Sequence, residues 1–185
     1  LVVSASTNVG FSTVYPGQLM YAMGSGVFFL IGVGMIVGGS SSSTTGGIKA
    51  FRIGIIAKTI VQTVREALVP DHVRPRTFYY HMGRKLLTPD LASSALTIFL
   101  MYILTFAIGA VVGILCGYDA LPAIFESISA ASNGGLSSGI VSAGMPRFLE
   151  GVYIVEMLLG RLEFVAVFAM LLQFFQSLLP IDRTE

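Results

Sequence analysis

The amino-acid sequence predicts an all-α integral membrane protein, and three observations carry that expectation. Charged side chains make up 11% of the 185 residues and hydrophobic ones 54%, with a mean hydropathy of +0.81. Soluble domains carry about a quarter charged residues, so this composition favours lipid as its solvent. Three stretches are apolar over the length that crosses a bilayer, about 20 residues. Most of the basic residues are gathered in one linker between the first two stretches. A net charge of +1 carries no nucleic-acid signal, and the single cysteine, Cys116, excludes a disulfide framework and a thiolate metal cage.

The first stretch, residues 17–37, holds no charge. It runs into Gly38-Gly39-Ser40-Ser41-Ser42-Ser43-Thr44-Thr45-Gly46-Gly47, where nothing is larger than Thr and helix propensity is poor. That segment reads either as a mobile polar loop or as a membrane-exit linker. Residues 49–69 are expected to be helical, after which Pro70, Pro75 and Gly83 break the chain into a short connector. Lys49, Arg52, Lys58, Arg65, Arg74, Arg76, Arg84 and Lys85 are eight of the eleven basic residues. The positive-inside rule therefore assigns this linker to the cytoplasm. The segments before 17 and around 118–150 then lie outside, and Asp182-Arg183 returns inside.

The second stretch, 91–117, is also free of charge and has a readable start in Thr88-Pro89-Asp90: an N-cap, a first-turn proline and an early acid. Gly109 and Gly113 form a GxxxG that suits a packing face. The third stretch, 151–180, is interrupted by Glu156, Arg161 and Glu163. Arg161 falls about 16 Å along a helix started at 151. A charge at that depth costs about 3 kcal/mol against lipid, so Arg161 is expected to face protein or water. An ion pair with Glu163, Glu156 or a partner on another segment, and a cation in the pore wall below the repeated segments, are both compatible with that position.

An internal repeat marks the functional region. Residues 4–13 read SASTNVGFST and residues 129–138 read SAASNGGLSS, with Ser, Ala, Asn, Gly and Ser coinciding at an offset of 125. Each copy precedes an apolar stretch and two crossings separate them, so the repeat is parallel, about an axis along the membrane normal. Both segments are rich in Gly and hydroxyl residues and lack charge. Irregular backbone at membrane depth is tolerated where it is buried or lines water, and converging carbonyls can replace the hydration shell of a monovalent cation. Gly10 and Gly135 would allow backbone angles that other residues disfavour. Residues 120–131 suit a short helix whose negative end points at the cation.

Enzyme chemistry finds little support. Gly135-Leu136-Ser137-Ser138-Gly139 matches GxSxG, but His72 and His81 both precede the serine and are expected across the membrane from it. Gly39 through Lys49 lacks the GKS or GKT of a phosphate loop. The two histidines have no cysteine or carboxylate cluster to complete a metal site. The chain opens LVVSASTNVGF, with neither an initiating Met nor a basic n-region, and reads as though cut from a longer protein.

Taken together, these residues resemble the Trk/Ktr/HKT superfamily of potassium transporters. SASTNVGFST (4–13) resembles the third filter, FESISAASNGGLSSGI (125–140) the fourth pore helix and filter, and GGSSSSTTGGIKAFR (38–52) the intramembrane gating loop and the helix after it. MLLGRLE (157–163) resembles the start of the last helix, closer to the Trk than to the Ktr branch. The resemblance implies four M1-P-M2, potassium-channel-like repeats with re-entrant pore loops around one K⁺ filter. Here it implies about one and a half of them. Residues 1–48 would be the third filter, its M2 and the gate loop; 49–90 the cytoplasmic helix and basic linker; 91–185 the fourth repeat. Ion contacts are implied at Asn8, Val9, Gly10, Phe11, Asn133, Gly134, Gly135 and Leu136, and a gate at Gly38–Gly47 with Arg161. Asn8-Val9 and Asn133-Gly134 stand where Thr, Ala or Val are more usual, and Glu156 is not expected from the family pattern. The implied function is the membrane subunit of a potassium uptake system in a bacterial inner membrane, with K⁺ as cargo and no resident cofactor. The implied partners are the first two repeats of its own polypeptide, a second copy, a cytoplasmic nucleotide-binding regulatory ring and the bilayer. The competing readings are a Na⁺ transporter of the same architecture and a secondary symporter with broken helices.

Overall fold

The computed structural model describes residues 1–15, 24–39, 46–68, 77–80, 83–162 and 164–178. Its seven described helices are α1 (Val2–Thr7), α2 (Ser25–Ile36), α3 (Ala50–Leu68), α4 (Pro89–Leu115), α5 (Ala120–Ser132), α6 (Arg147–Leu162) and α7 (Phe164–Leu178). The all-α architecture expected from composition is the one found. Two minimal ladders accompany it: β1 (Val37–Gly38) pairs in parallel with β2 (Ile48–Lys49), and β3 (Phe78–Tyr80) pairs antiparallel with β4 (Arg84–Leu86).

Helix α4 starts where its sequence signals say, with Thr88 as N-cap, Pro89 in the first turn and Asp90 beside it. Its 27 residues extend about 40 Å at 1.5 Å per residue. Among the described residues it is the helix long and apolar enough to cross a membrane. The described part of the first apolar stretch is α2, and residues 17–23 of that stretch lie outside the described residues.

The third stretch begins earlier than hydropathy indicates. Arg147 opens α6 directly after Pro146, and the Glu150 N–H donates to the Pro146 carbonyl at 3.1 Å. Arg147 and Glu150 lower the mean hydropathy of a turn that nevertheless buries Leu149 completely. Residue 163 lies outside the described residues, and beyond it the stretch is helical again as α7.

Short α5 lies at the centre, packed against α4 on one side and α6 on the other. Small residues set the closeness of that packing. A Cβ on Gly113 would come within 2.9 Å of the Ala123 Cβ, and one on Gly109 would collide with the Glu156 carboxylate. The GxxxG face of α4 thus receives α5 and α6. Helix α2 closes the core from the far side, with Phe28 stacked on Phe125 at 4.1 Å between ring centroids. The Tyr102 ring meets Phe164 edge-on at 4.7 Å, and its hydroxyl donates to the Gly160 carbonyl at 3.0 Å. Helix α3 joins through a separate cluster of Ile55, Leu87 and Ala95.

Candidate functional site

The repeat read in the sequence is also a repeat of backbone geometry. Helix α1 ends on Asn8 at φ 51°, ψ 39°, and α5 ends on Asn133 at φ 55°, ψ 37°. Left-handed geometry is unusual for a residue other than Gly, and Asn tolerates it as a helix terminator. The hydrogen bonds repeat as well. Asn8 N–H donates to Ala5 O and Val9 N–H to Ser4 O, while Asn133 N–H donates to Ala130 O and Gly134 N–H to Ser129 O. This paired arrangement is the Schellman closure of a helix C-terminus. Each helix is therefore stopped abruptly, with its negative end at the start of an irregular segment.

Two residues on, Gly10 and Gly135 both take positive φ, 79° and 72°. They also meet. A Cβ on Gly10 would lie 3.0 Å from the Gly135 Cα, and one on Gly135 would lie 2.9 Å from the Gly10 Cα. Glycine is required twice over, by the left-handed φ and by this approach. Above the pair opens a cavity of about 550 Å³ lined by residues 10, 12–15 and 135–137. The second segment is the more enclosed, with Gly134, Leu136 and Ser138 buried, whereas Val9 and Phe11 are exposed.

Of the Gly/Ser segment, Gly38, Gly39, Gly46 and Gly47 are described; Ser40, Ser41, Ser42, Ser43, Thr44 and Thr45 lie outside the described residues. Its two ends are clamped together by the pairing of Val37 with Ile48 and of Gly38 with Lys49. The Ala50 N–H closes the same junction on Gly39 O at 3.3 Å. The clamped end is buried under the helix-terminating asparagines. Asn8 Nδ2 donates to Gly46 O and to Ser132 O, both at 3.1 Å. A Cβ on Gly46 would run into Ser132 O and stand 2.7 Å from Asn133 Nδ2. One side chain thus links the first repeat segment, the end of α5 and the end of the Gly/Ser segment. Arg161 stands exposed in the last turn of α6, beside the Gly160 that takes the Tyr102 hydrogen bond.

Two buried carboxylates, neither singled out as a site from the sequence, support this arrangement. Glu126 on α5 accepts from the Ser138 N–H at 2.7 Å and from the Ser138 hydroxyl at 2.6 Å. Glu156 on α6 lies 3.0 Å from the Ser127 hydroxyl, which is itself 3.0 Å from Phe106 O on α4. Their partners are 12 and 29 residues away in sequence, so no local spacing rule could have found them. Glu126 does sit one helical turn before the repeat at 129, which is the signal the sequence offered.

Short helices ended by matched left-handed turns and packed between longer apolar helices define a re-entrant-loop membrane protein. The chain belongs to the TrkH family, described as cation transport protein, whose profile matches residues 1–181. It is 32% identical over 166 residues to an uncharacterized cation transporter of Methanocaldococcus jannaschii, covering 90% of this chain and 34% of that protein. It is 31% identical over 173 residues to the Trk system potassium uptake protein TrkH of Halomonas elongata, covering 90% and 33%. The solved potassium transporter TrkH from Vibrio parahaemolyticus matches with a TM-score of 0.74 at 26% identity, over 91% of this chain and 35% of that one. The chain spans about a third of the length of these relatives.

Proposed function

We propose that residues 8–11 and 133–136 are two limbs of a cation filter in the membrane subunit of a potassium uptake system, and that 38–47 with Arg161 form its gate. The observation carrying the filter reading is the matched geometry of Asn8 with Asn133 and of Gly10 with Gly135, brought face to face across 125 residues. Carbonyls of two such limbs, at the negative ends of two short helices, suit a desolvated monovalent cation. Two limbs do not surround an ion, so the remaining coordination is assigned to other parts of the full-length protein. Potassium is the cargo in this reading because the names of the Halomonas and Vibrio relatives specify it. A parallel repeat argues against a symporter built on inverted repeats.

The gate reading rests on the Asn8 side chain, which joins the clamped end of the Gly/Ser segment to both proposed limbs. A cytoplasmic linker at 49–90, a homodimer and a cytoplasmic regulatory ring belong to the same proposal. The test of the filter is growth of a potassium-uptake-deficient strain on low K⁺, with membrane expression matched. Gly10→Ser and Gly135→Asp in the full-length protein are each expected to abolish growth. Wild-type growth of both variants would refute the filter and leave only two helix-ending turns.

A further inference from the structure

We infer that Glu126 is a positioning residue that holds the outer limb of the second proposed filter segment through a double hydrogen bond to Ser138. This rests on the filter reading above and concerns how one limb keeps its shape. Glu126 is 4% exposed and Ser138 8%. Both groups of Ser138 are donors here, so a single carboxylate oxygen, Oε2, accepts the two bonds at 2.7 and 2.6 Å. Both distances are those of well-formed hydrogen bonds.

The backbone bond decides a direction. Peptide units are planar and no cis bond is present among the described residues, so the N–H and C=O of one unit point opposite ways. Drawing the Ser138 N–H onto α5 turns the Ser137 carbonyl away from α5. The limb needs such a hold because it runs between two positive-φ glycines, Gly135 at 72° and Gly139 at 101°. Glycine leaves the backbone many alternatives.

At the equivalent described positions the first limb has no such pair. The repeat offset of 125 sets Leu1 against Glu126 and Thr13 against Ser138. That limb carries instead a local turn, in which Ser12 Oγ lies 2.6 Å from Val14 O and 3.2 Å from Val14 N. The two limbs of the repeat are therefore held by different chemistry, one locally and one from its helix.

The experiment measures ⁸⁶Rb⁺ uptake, and its inhibition by external Na⁺, in vesicles containing the purified full-length protein. Glu126→Ala is expected to lower discrimination against Na⁺ by about tenfold, the scale of losing two hydrogen bonds. Glu126→Gln keeps an acceptor oxygen and should retain most of it. Ser138→Ala is expected to lower discrimination by about threefold, the scale of one neutral hydrogen bond, with Ser138→Thr restoring it. If Glu126→Ala fails to reach the membrane, the Ser138 pair decides. Wild-type discrimination in Glu126→Ala, or in Ser138→Ala where the former does not assemble, overturns the proposal. Loss of uptake in Gly135→Ser alongside that result would leave the filter standing and remove only the strap. Full uptake in both Gly10→Ser and Gly135→Ser would overturn the filter and the strap together.

Discussion

At the scale of single residues, the site depends on where Cβ atoms are absent. Gly109 is one such case outside the repeat, because a Cβ there would collide with the Glu156 carboxylate and stand 2.5 Å from the Ser127 hydroxyl. Those two side chains are bonded to each other between α5 and α6, and both are buried. An added methyl forces either the carboxylate or the helix to move, and overpacking of this kind costs about 1–3 kcal/mol. Gly109→Ala in the full-length protein is therefore expected to lower the apparent melting temperature in detergent. Combining it with Glu156→Ala should recover part of the loss, because the clash partner is gone and the two changes couple. Independent, additive losses would contradict this packing.

At the scale of elements, the question is what the Gly/Ser segment does between its clamped ends. The β1–β2 pairing holds Val37 beside Ile48, so the two described ends of the segment lie at one place. Asn8 ties that place to the end of α5. Helix α3 begins at Ala50, immediately after the clamp, and a movement of α3 would be delivered there. Deleting Ser41–Thr44 in the full-length protein is expected to raise cation flux several-fold without a regulator while leaving ion preference largely intact. Arg161→Gln, which keeps hydrogen-bond donors but removes the charge, should also raise flux. Tracer uptake in vesicles at matched protein measures both. A shortened segment that folds and conducts no faster than wild type would make it a passive connector.

At the scale of the whole molecule, charge sets orientation and the repeat sets symmetry. Eight of the eleven basic residues lie between 49 and 85, on one side of α4 in the chain. Both repeat segments belong on the opposite face if that linker is cytoplasmic. Gly144 is exposed, with nothing within 4 Å of an added Cβ, so a cysteine there is sterically free to react. In a full-length background with Cys116 replaced by Ala, Gly144→Cys should be modified by an impermeant thiol reagent from outside. Thr77→Cys should be modified only after permeabilisation. The reverse labelling would refute both the orientation and the shared outer location of the repeat segments.

The sequence by itself determined the helical class, the second stretch from its Thr88-Pro89-Asp90 start, and the correspondence of residues 4–13 with 129–138. These are local properties: hydropathy over a span, a capping pattern, identity at a fixed offset. It also marked Gly10 and Gly135 as special, because a Gly in a repeated turn implies an unusual φ. Tertiary structure alone decided that these two glycines meet, that Asn8 reaches Gly46 and Ser132, and that Glu126 and Glu156 close on serines of distant elements. The physical reason is that a buried polar side chain must find its partner wherever packing brings one, and that partner leaves no periodic trace in the chain. The early start of α6 was hidden for a related reason. Hydropathy averages over a turn, whereas the fold buries Leu149 and leaves the flanking Phe148 and Glu150 exposed.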